Sequence, residues 1–254
     1  MSWTHPDGIG KIEVLEVFGN DLTVVNAARV SFAKESTEFS TRDAGLIRYL
    51  ATHQHTSPFF HPQIRLRIKM PLFVAREWFR HTVGFARNEV SRRYVDTKPE
   101  LWFPDASGLR ARDPKLKQGS KEEPVEGAEA IVAELRAFGE STIALYESLL
   151  ARGVAPEIAR CALPQGMYTE FIETASLAAY ARLFGLRTDP GAQREIQLYA
   201  REMGALVAPS FPVSWAALSS EAAAPATAGA TAGATAGAAA GAAAGATAGT
   251  TSPS

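Results

Sequence analysis

Residues 61–70, HPQIRLRIKM, put Ile64, Leu66 and Ile68 on one side of an extended chain and Arg65, Arg67 and Lys69 on the other. This period-two pattern predicts a strand with one buried face and one face that is wet or turned toward an anion. A weaker alternation through Ile12, Val14 and Val17 predicts a second strand, closed by the turn signal Gly19-Asn20-Asp21, with Asp21 as the cap of a following helix. Leu46, Ile47, Leu50 and Ala51 then recur at helical spacing up to about His53, and a loop containing Pro58 follows. Pro71 suits the first position of a helix that carries Leu72, Phe73, Ala75, Trp78 and Phe79 and delivers Arg80 and His81 at its end. Residues 104–124, rich in proline, glycine and charge, read as a long surface excursion. Helical spacing resumes over 125–152, with Gly139 as a break, and continues over 156–163, 175–186 and 192–207. The expected fold is α+β, one mixed domain with a small β-sheet and predominant helices.

The last 34 of the 254 residues change this picture only at the edge. Residues 221–254 are almost wholly Ala, Gly and Thr and lack the apolar bulk to bury themselves, so the chain divides into a 1–220 domain and a disordered tail. One of the 27 acidic side chains, Glu221, falls in that tail, which leaves the body with 26 charges of each sign. That balance argues against a protein that coats nucleic acid. No apolar run is long enough to span a membrane, and the first thirty residues lack the pattern of a secretory signal. A single cysteine, Cys161, excludes an internal disulfide, and a cytoplasmic location is expected.

Local charge is less even. Residues 80–94, RHTVGFARNEVSRRY, hold Arg80, Arg87, Arg92 and Arg93 together with His81, Asn88, Glu89, Ser91 and Tyr94. Guanidinium groups bind phosphate or carboxylate in a two-pronged fashion, so the cluster predicts an anion site; the competing reading is a solvated helix end paired with acids. Ser91 invites a nucleophile reading, which requires a base within hydrogen-bond reach, and a positioning role is preferred. His53, His55 and His61 form a short ligand-like set without further donors, and no metal site is expected.

The segment ending Asn88-Glu89-Val90-Ser91-Arg92-Arg93-Tyr94 resembles the signature of the flavin-dependent thymidylate synthases, in which Arg-His-Arg precedes Asn-Glu-x-Ser-x-Arg-Tyr. The likeness extends in order through GNDLTVVNAARVSF at 19–32, HQHTSPFFH at 53–61, PLFVAREWFRH at 71–81, APEIARCALP at 155–164 and LRTDPGAQREIQ at 186–197. It implies an α+β homotetramer with active sites at subunit interfaces. It also implies reductive methylation of dUMP to dTMP, with methylenetetrahydrofolate as one-carbon donor and FAD reduced by NADPH as hydride source. By position it implies catalytic roles for Arg187 and Ser91. Substrate contacts are implied for Glu77, Arg80, Glu89, Val90, Ser91, Arg92, Arg93, Arg160 and Arg187. Cofactor contacts are implied for His55, Ser57, Arg80, His81, Thr82, Glu89, Ser176 and Arg182. Arg187 matches the arginine that lies against the uracil and favours ionisation at N3, as a cation beside a developing anion would. An alternative is a nucleotide-binding homologue that keeps the dUMP cradle and has lost flavin chemistry.

Four departures shape further expectations. Thr82 replaces the third residue of Arg-His-Arg, and the stretch from His81 to Asn88 is one residue longer than usual. Arg87 is therefore expected to supply the missing cation. Ser176, Ala178 and Arg182 stand where the common form has Asn, Arg and Asn for FAD, with Arg182 expected to restore the lost charge one turn later. Glu77 stands where a nucleotide-contacting Gln is usual and is expected to orient Arg80. The insert at 109–124 is expected to be a solvated loop, with Lys115, Lys117, Gln118 and Ser120 as the side chains able to meet an anion.

Overall fold

In a computed structural model that describes residues 1–115 and 119–222, the alternating segment at 61–70 becomes strand β3, the middle of a five-stranded antiparallel sheet. In chain order the sheet comprises β1 (Ser2–Thr4), β2 (Lys11–Phe18), β3 (Gln63–Pro71), β4 (Phe85–Glu89) and β7 (Tyr168–Ser176), arranged β1-β2-β3-β7-β4. The hairpin β5 (Arg110–Arg112) and β6 (Ser120–Pro124) forms a separate small sheet. Ile64, Leu66, Ile68 and Met70 point into the core without exposure. The opposite face carries ion pairs across strands: Arg65 with Glu16 at 3.1 Å, and Arg67 with Glu13 and Glu170 at 3.6 and 3.7 Å. Exposed pairs of this kind add little stability, so the apolar face fixes the register.

Helices cover the inner face: α1 (Asp21–Arg29), α2 (Thr41–Thr52), α3 (Leu72–Trp78), α6 (Leu177–Arg187), α7 (Arg194–Val207) and α8 (Pro212–Ala222). They bury Val24, Ile47, Trp78, Tyr180, Leu183, Ile196, Met203, Phe211 and Trp215 against the sheet. The α4 helix (Ala128–Ala151) and the single turn α5 (Pro156–Ala159) lie outside this layer. The α+β reading holds, with several local corrections.

The cap of α1 is Asn20, whose side chain accepts from the Leu22 and Thr23 N–H groups. Asp21 instead turns inward and accepts from the Val213 and Ser214 N–H groups at 2.9 Å, capping α8 from across the fold. That helix, absent from the sequence reading, adds Trp215 to the core beside Phe211, the residue just before it. Gly139 does not break α4. A Cβ there would lie 2.5 Å from Phe103 and 2.9 Å from Leu101, so the glycine permits close packing. The β7 strand was also unexpected, because its inward positions Thr169, Phe171, Glu173 and Ala175 are half polar.

The 109–124 segment is a hairpin tied to α7 rather than a free loop. Arg110 meets Glu195 at 3.1 Å and Ser120 at 2.7 Å, and Arg194 pairs with Glu122. Lys117 and Gln118, like the tail beyond Ala222 with its reading as disordered, lie outside the described residues.

Candidate active site

The site residues expected from the sequence fall into two groups, near opposite ends of the β4/β7 pair. One gathers where Phe85 faces Ala175, the other where Glu89 faces Phe171. β4 alone, at about 3.4 Å per residue, sets these ends roughly 14 Å apart.

At the first end, α6 carries Arg187 in its last turn and α3 ends at the Glu77-Trp78 step. The Arg187 guanidinium donates through Nε to His81 Nε2 at 2.9 Å and through Nη2 to the Glu77 carbonyl at 3.0 Å. Its Nη1 lies 3.5 Å from the Glu77 carboxylate. Glu77 therefore faces Arg187, and its only bond to Arg80 is through the backbone, where the Arg80 N–H meets the Glu77 carbonyl. The His81 ring is 7 % exposed. Burial and then the cations Arg187, Arg182 and Arg87 lower it from 6.5 to about 4, so it stands neutral beside Arg187 and its Nε2 accepts.

Arg87 does not fill the gap at Thr82. It turns beneath the sheet to Glu173, a fully buried carboxylate that also accepts from the Trp78 indole at 3.0 Å, and it sits over the Phe79 ring. Burial pushes the Glu173 carboxyl up, and the Arg87 charge opposes it.

Around this end lie the residues expected to meet a flavin, except Glu89, which lines the cavity at the other end. His55, Ser57 and Thr82 are exposed, and so is Arg80, whose side chain has no hydrogen bond or ion pair among the described residues. This exposed set fits a group that needs a cation and polar donors. Ser176 does not join it. It is 2 % exposed, and its hydroxyl accepts from the Ala179 N–H as the cap of α6. The Gly84 turn covers that helix start, with a Cβ at Gly84 lying 3.1 Å from Ala179, and Arg182 holds the turn by donating to the Val83 carbonyl at 2.9 Å. His53 and His55 lie 6.3 Å apart, ring to ring, beside Tyr49. Among the described residues, no group of three His, Cys, Asp or Glu side chains is arranged to hold a metal ion.

At the other end, a cavity of about 510 Å³ is lined by Glu89, Val90, Ser91, Arg92 and Arg160. Glu77, Arg80 and Arg187 do not line it. Arg93 lies outside as well, paired with Glu157 at 3.4 Å. Arg92 meets the Thr97 carbonyl and Arg160 the Glu157 carbonyl, and among the described residues neither has an acid within ion-pair distance. Ser91 Oγ accepts from the Arg93 N–H at 3.3 Å, and among the described residues no titratable side chain hydrogen-bonds it.

The sequence reading missed Lys69, Glu100, Tyr168, Thr169 and Glu170 in this cavity. Lys69 was legible as part of the polar face of β3, whereas Tyr168, Thr169 and Glu170 lie on the unrecognised β7, and Glu100 is held beside it by the Tyr168 N–H, which donates to its carbonyl at 2.9 Å. Their acids are occupied: Glu100 by Lys69, Glu170 by Arg67, and Glu89 by the Thr169 hydroxyl at 2.6 Å. The Tyr168 hydroxyl donates to Asp7, which ties the N-terminal hairpin to the cavity wall.

A family model described as thymidylate synthase complementing protein matches residues 13–213. The flavin-dependent thymidylate synthase of Thermus thermophilus is 40 % identical over 211 residues, covering 82 % of this chain and 75 % of that protein. Its counterpart from Thermosipho melanesiensis is 37 % identical over 191 residues, covering 75 % and 82 %. The crystal structure of PolB, a UMP/dUMP methylase from Streptomyces cacaoi bound with 5-Br dUMP, is 31 % identical, with a TM-score of 0.75 over 82 % of this chain and 94 % of that one.

Proposed function

Because the chain belongs to the thymidylate synthase complementing protein family, that of the flavin-dependent thymidylate synthases, we propose that it converts dUMP to dTMP, with methylenetetrahydrofolate as one-carbon donor and FAD reduced by NADPH as hydride source. In balance, the methylene carbon joins C5 of the pyrimidine, a hydride completes the methyl group, and the C5 hydrogen leaves as a proton. The observation that carries the reading is a selective absence of acid partners. Of the arginines expected to meet the nucleotide, Arg80, Arg92 and Arg160 have no carboxylate within ion-pair distance among the described residues, whereas Arg93 and Arg187 do.

Arg92 and Arg160 are suited to a dianionic phosphate, with Ser91 and nearby backbone N–H groups orienting it. Arg187, fixed by His81 and Glu77, supplies a cation to the pyrimidine as it gains negative charge and so directs electron density to C5. Arg80, His55, Ser57 and Thr82 would hold the flavin. With phosphate-type and base-type residues at separate ends of one chain, a complete site is read as shared between copies in a homotetramer, in the cytoplasm.

The covered α6 start and the commitment of Ser176 to its cap favour a second reading, a nucleotide-binding homologue without flavin chemistry. Anaerobic incubation with dUMP or UMP, methylenetetrahydrofolate, FAD and NADPH separates the two. The first reading expects yellow protein, NADPH oxidation stimulated by dUMP, and dTMP. Nucleotide binding with colourless protein and no dTMP would select the second.

A further inference from the structure

We propose that His81 is a positioning residue for Arg187: its neutral imidazole accepts the Arg187 Nε–H and sets the guanidinium in the orientation in which it meets the pyrimidine. The inference deepens the synthase reading and rests on it for the identity of the base. Three acceptors surround Arg187, namely His81 Nε2, the Glu77 carbonyl and, at a longer 3.5 Å, the Glu77 carboxylate. The first two are uncharged. They fix a planar cation without cancelling its charge; the Glu77 carboxylate, at the longer distance, offsets part of it and leaves the remainder available to an anion forming on the base. A carboxylate in place of His81 would hold the guanidinium as firmly and neutralise it.

His81 is itself well fixed. Its backbone N–H donates to the Trp78 carbonyl at 3.1 Å, its backbone carbonyl accepts from Arg87 Nη2 at 3.4 Å, and its ring lies near Phe85. The charged groups that face it are Arg187, Arg182 and Arg87, with Glu77 on the far side of Arg187. Burial and then these three cations disfavour the imidazolium form, in which both ring nitrogens donate and Nε2 accepts nothing. This role differs from flavin contact and gives the second residue of the Arg-His-x motif a task on the nucleotide side.

The test reads the N3 ionisation of bound 5-bromo-dUMP by ultraviolet difference titration, beside thermal melts and dTMP turnover, in wild type, His81→Gln, His81→Leu, Arg187→Ala and the His81→Leu/Arg187→Ala double variant. Gln retains an acceptor close to the position of Nε2. Wild type and His81→Gln are expected to hold the midpoint below that of the free nucleotide. His81→Leu and Arg187→Ala are each expected to return it by about one pH unit, with no further change in the double variant. If His81→Leu does not fold, His81→Asn, too short to reach Arg187, takes its place.

The proposal is overturned by a wild-type midpoint in His81→Leu, by a further shift in the double variant, by His81→Gln behaving like His81→Leu, or by a His81→Leu protein that loses only its flavin. Since the midpoint is read without turnover, a wild-type chain that forms no dTMP would sink the synthase reading and leave the His81 comparison standing.

Discussion

A guanidinium held by a carbonyl keeps its full charge, and one held by a carboxylate does not. By this criterion Arg92 and Arg160 in the cavity, and Arg80, which has no side-chain partner among the described residues, keep the charge that the proposed anion binding needs, while Arg87 is a structural cation committed to Glu173. His81 obeys the same electrostatics with opposite sign, since burial and three neighbouring arginines hold it at about 4, below its ordinary 6.5. Unfolded chains take up this proton near pH 6.5 and the folded one resists until about pH 4. His81 therefore contributes no pH dependence above pH 6.5, and its share of stability is lost as pH falls from there toward 4. Urea unfolding at pH 7 and pH 5 should show a loss in the wild type that His81→Gln reduces; an equal loss in both would contradict the burial of a neutral ring. The arginine cluster itself was legible in the sequence as a local excess in a balanced body. Which arginines are free was not, because Arg87 is claimed by a glutamate 86 positions away.

Elements repeat this division between local pattern and distant partner. β3 and α2 were legible because their apolar positions follow a single period, whereas β7 was not, because Glu173 occupies a core position that Arg87 and Trp78 make tolerable. α8 is a similar case. Pro212 at its start lacks an N–H, the residue before it is the apolar Phe211, and the cap comes from Asp21, 192 positions earlier. No window of sequence contains both halves of such a cap. Replacing Asp21 by Ala removes two buried acceptors and should cost about 2 kcal/mol, measured by urea unfolding. Asp21→Asn, which keeps one oxygen, should cost less. A neutral Asp21→Ala would mean that α8 docks through Phe211 and Trp215 alone.

For the whole molecule the question is where a complete site forms. A single copy leaves Arg187 and Arg80 at one end of the β4/β7 pair and the Arg92–Arg160 cavity at the other. It also leaves α4 incompletely covered. Ile131, Leu135, Phe138 and Leu145, spaced by four, three and seven residues, form an exposed seam of the kind that helices bury against one another, with Phe138 60 % exposed. The split site and the open helical seam support the proposed homotetramer, since closed assemblies place different surfaces of one sequence in contact. If each site draws its base-side arginine from one copy and its phosphate-side arginines from another, Arg187→Ala and Arg160→Ala impair different halves of the same site. Each variant alone should lose most dTMP formation. Subunits of the two, mixed at equal amounts and reassembled, should assemble some sites from the two unaltered halves and recover about a quarter of wild-type activity. Sites confined to single copies would show no recovery at any mixing ratio.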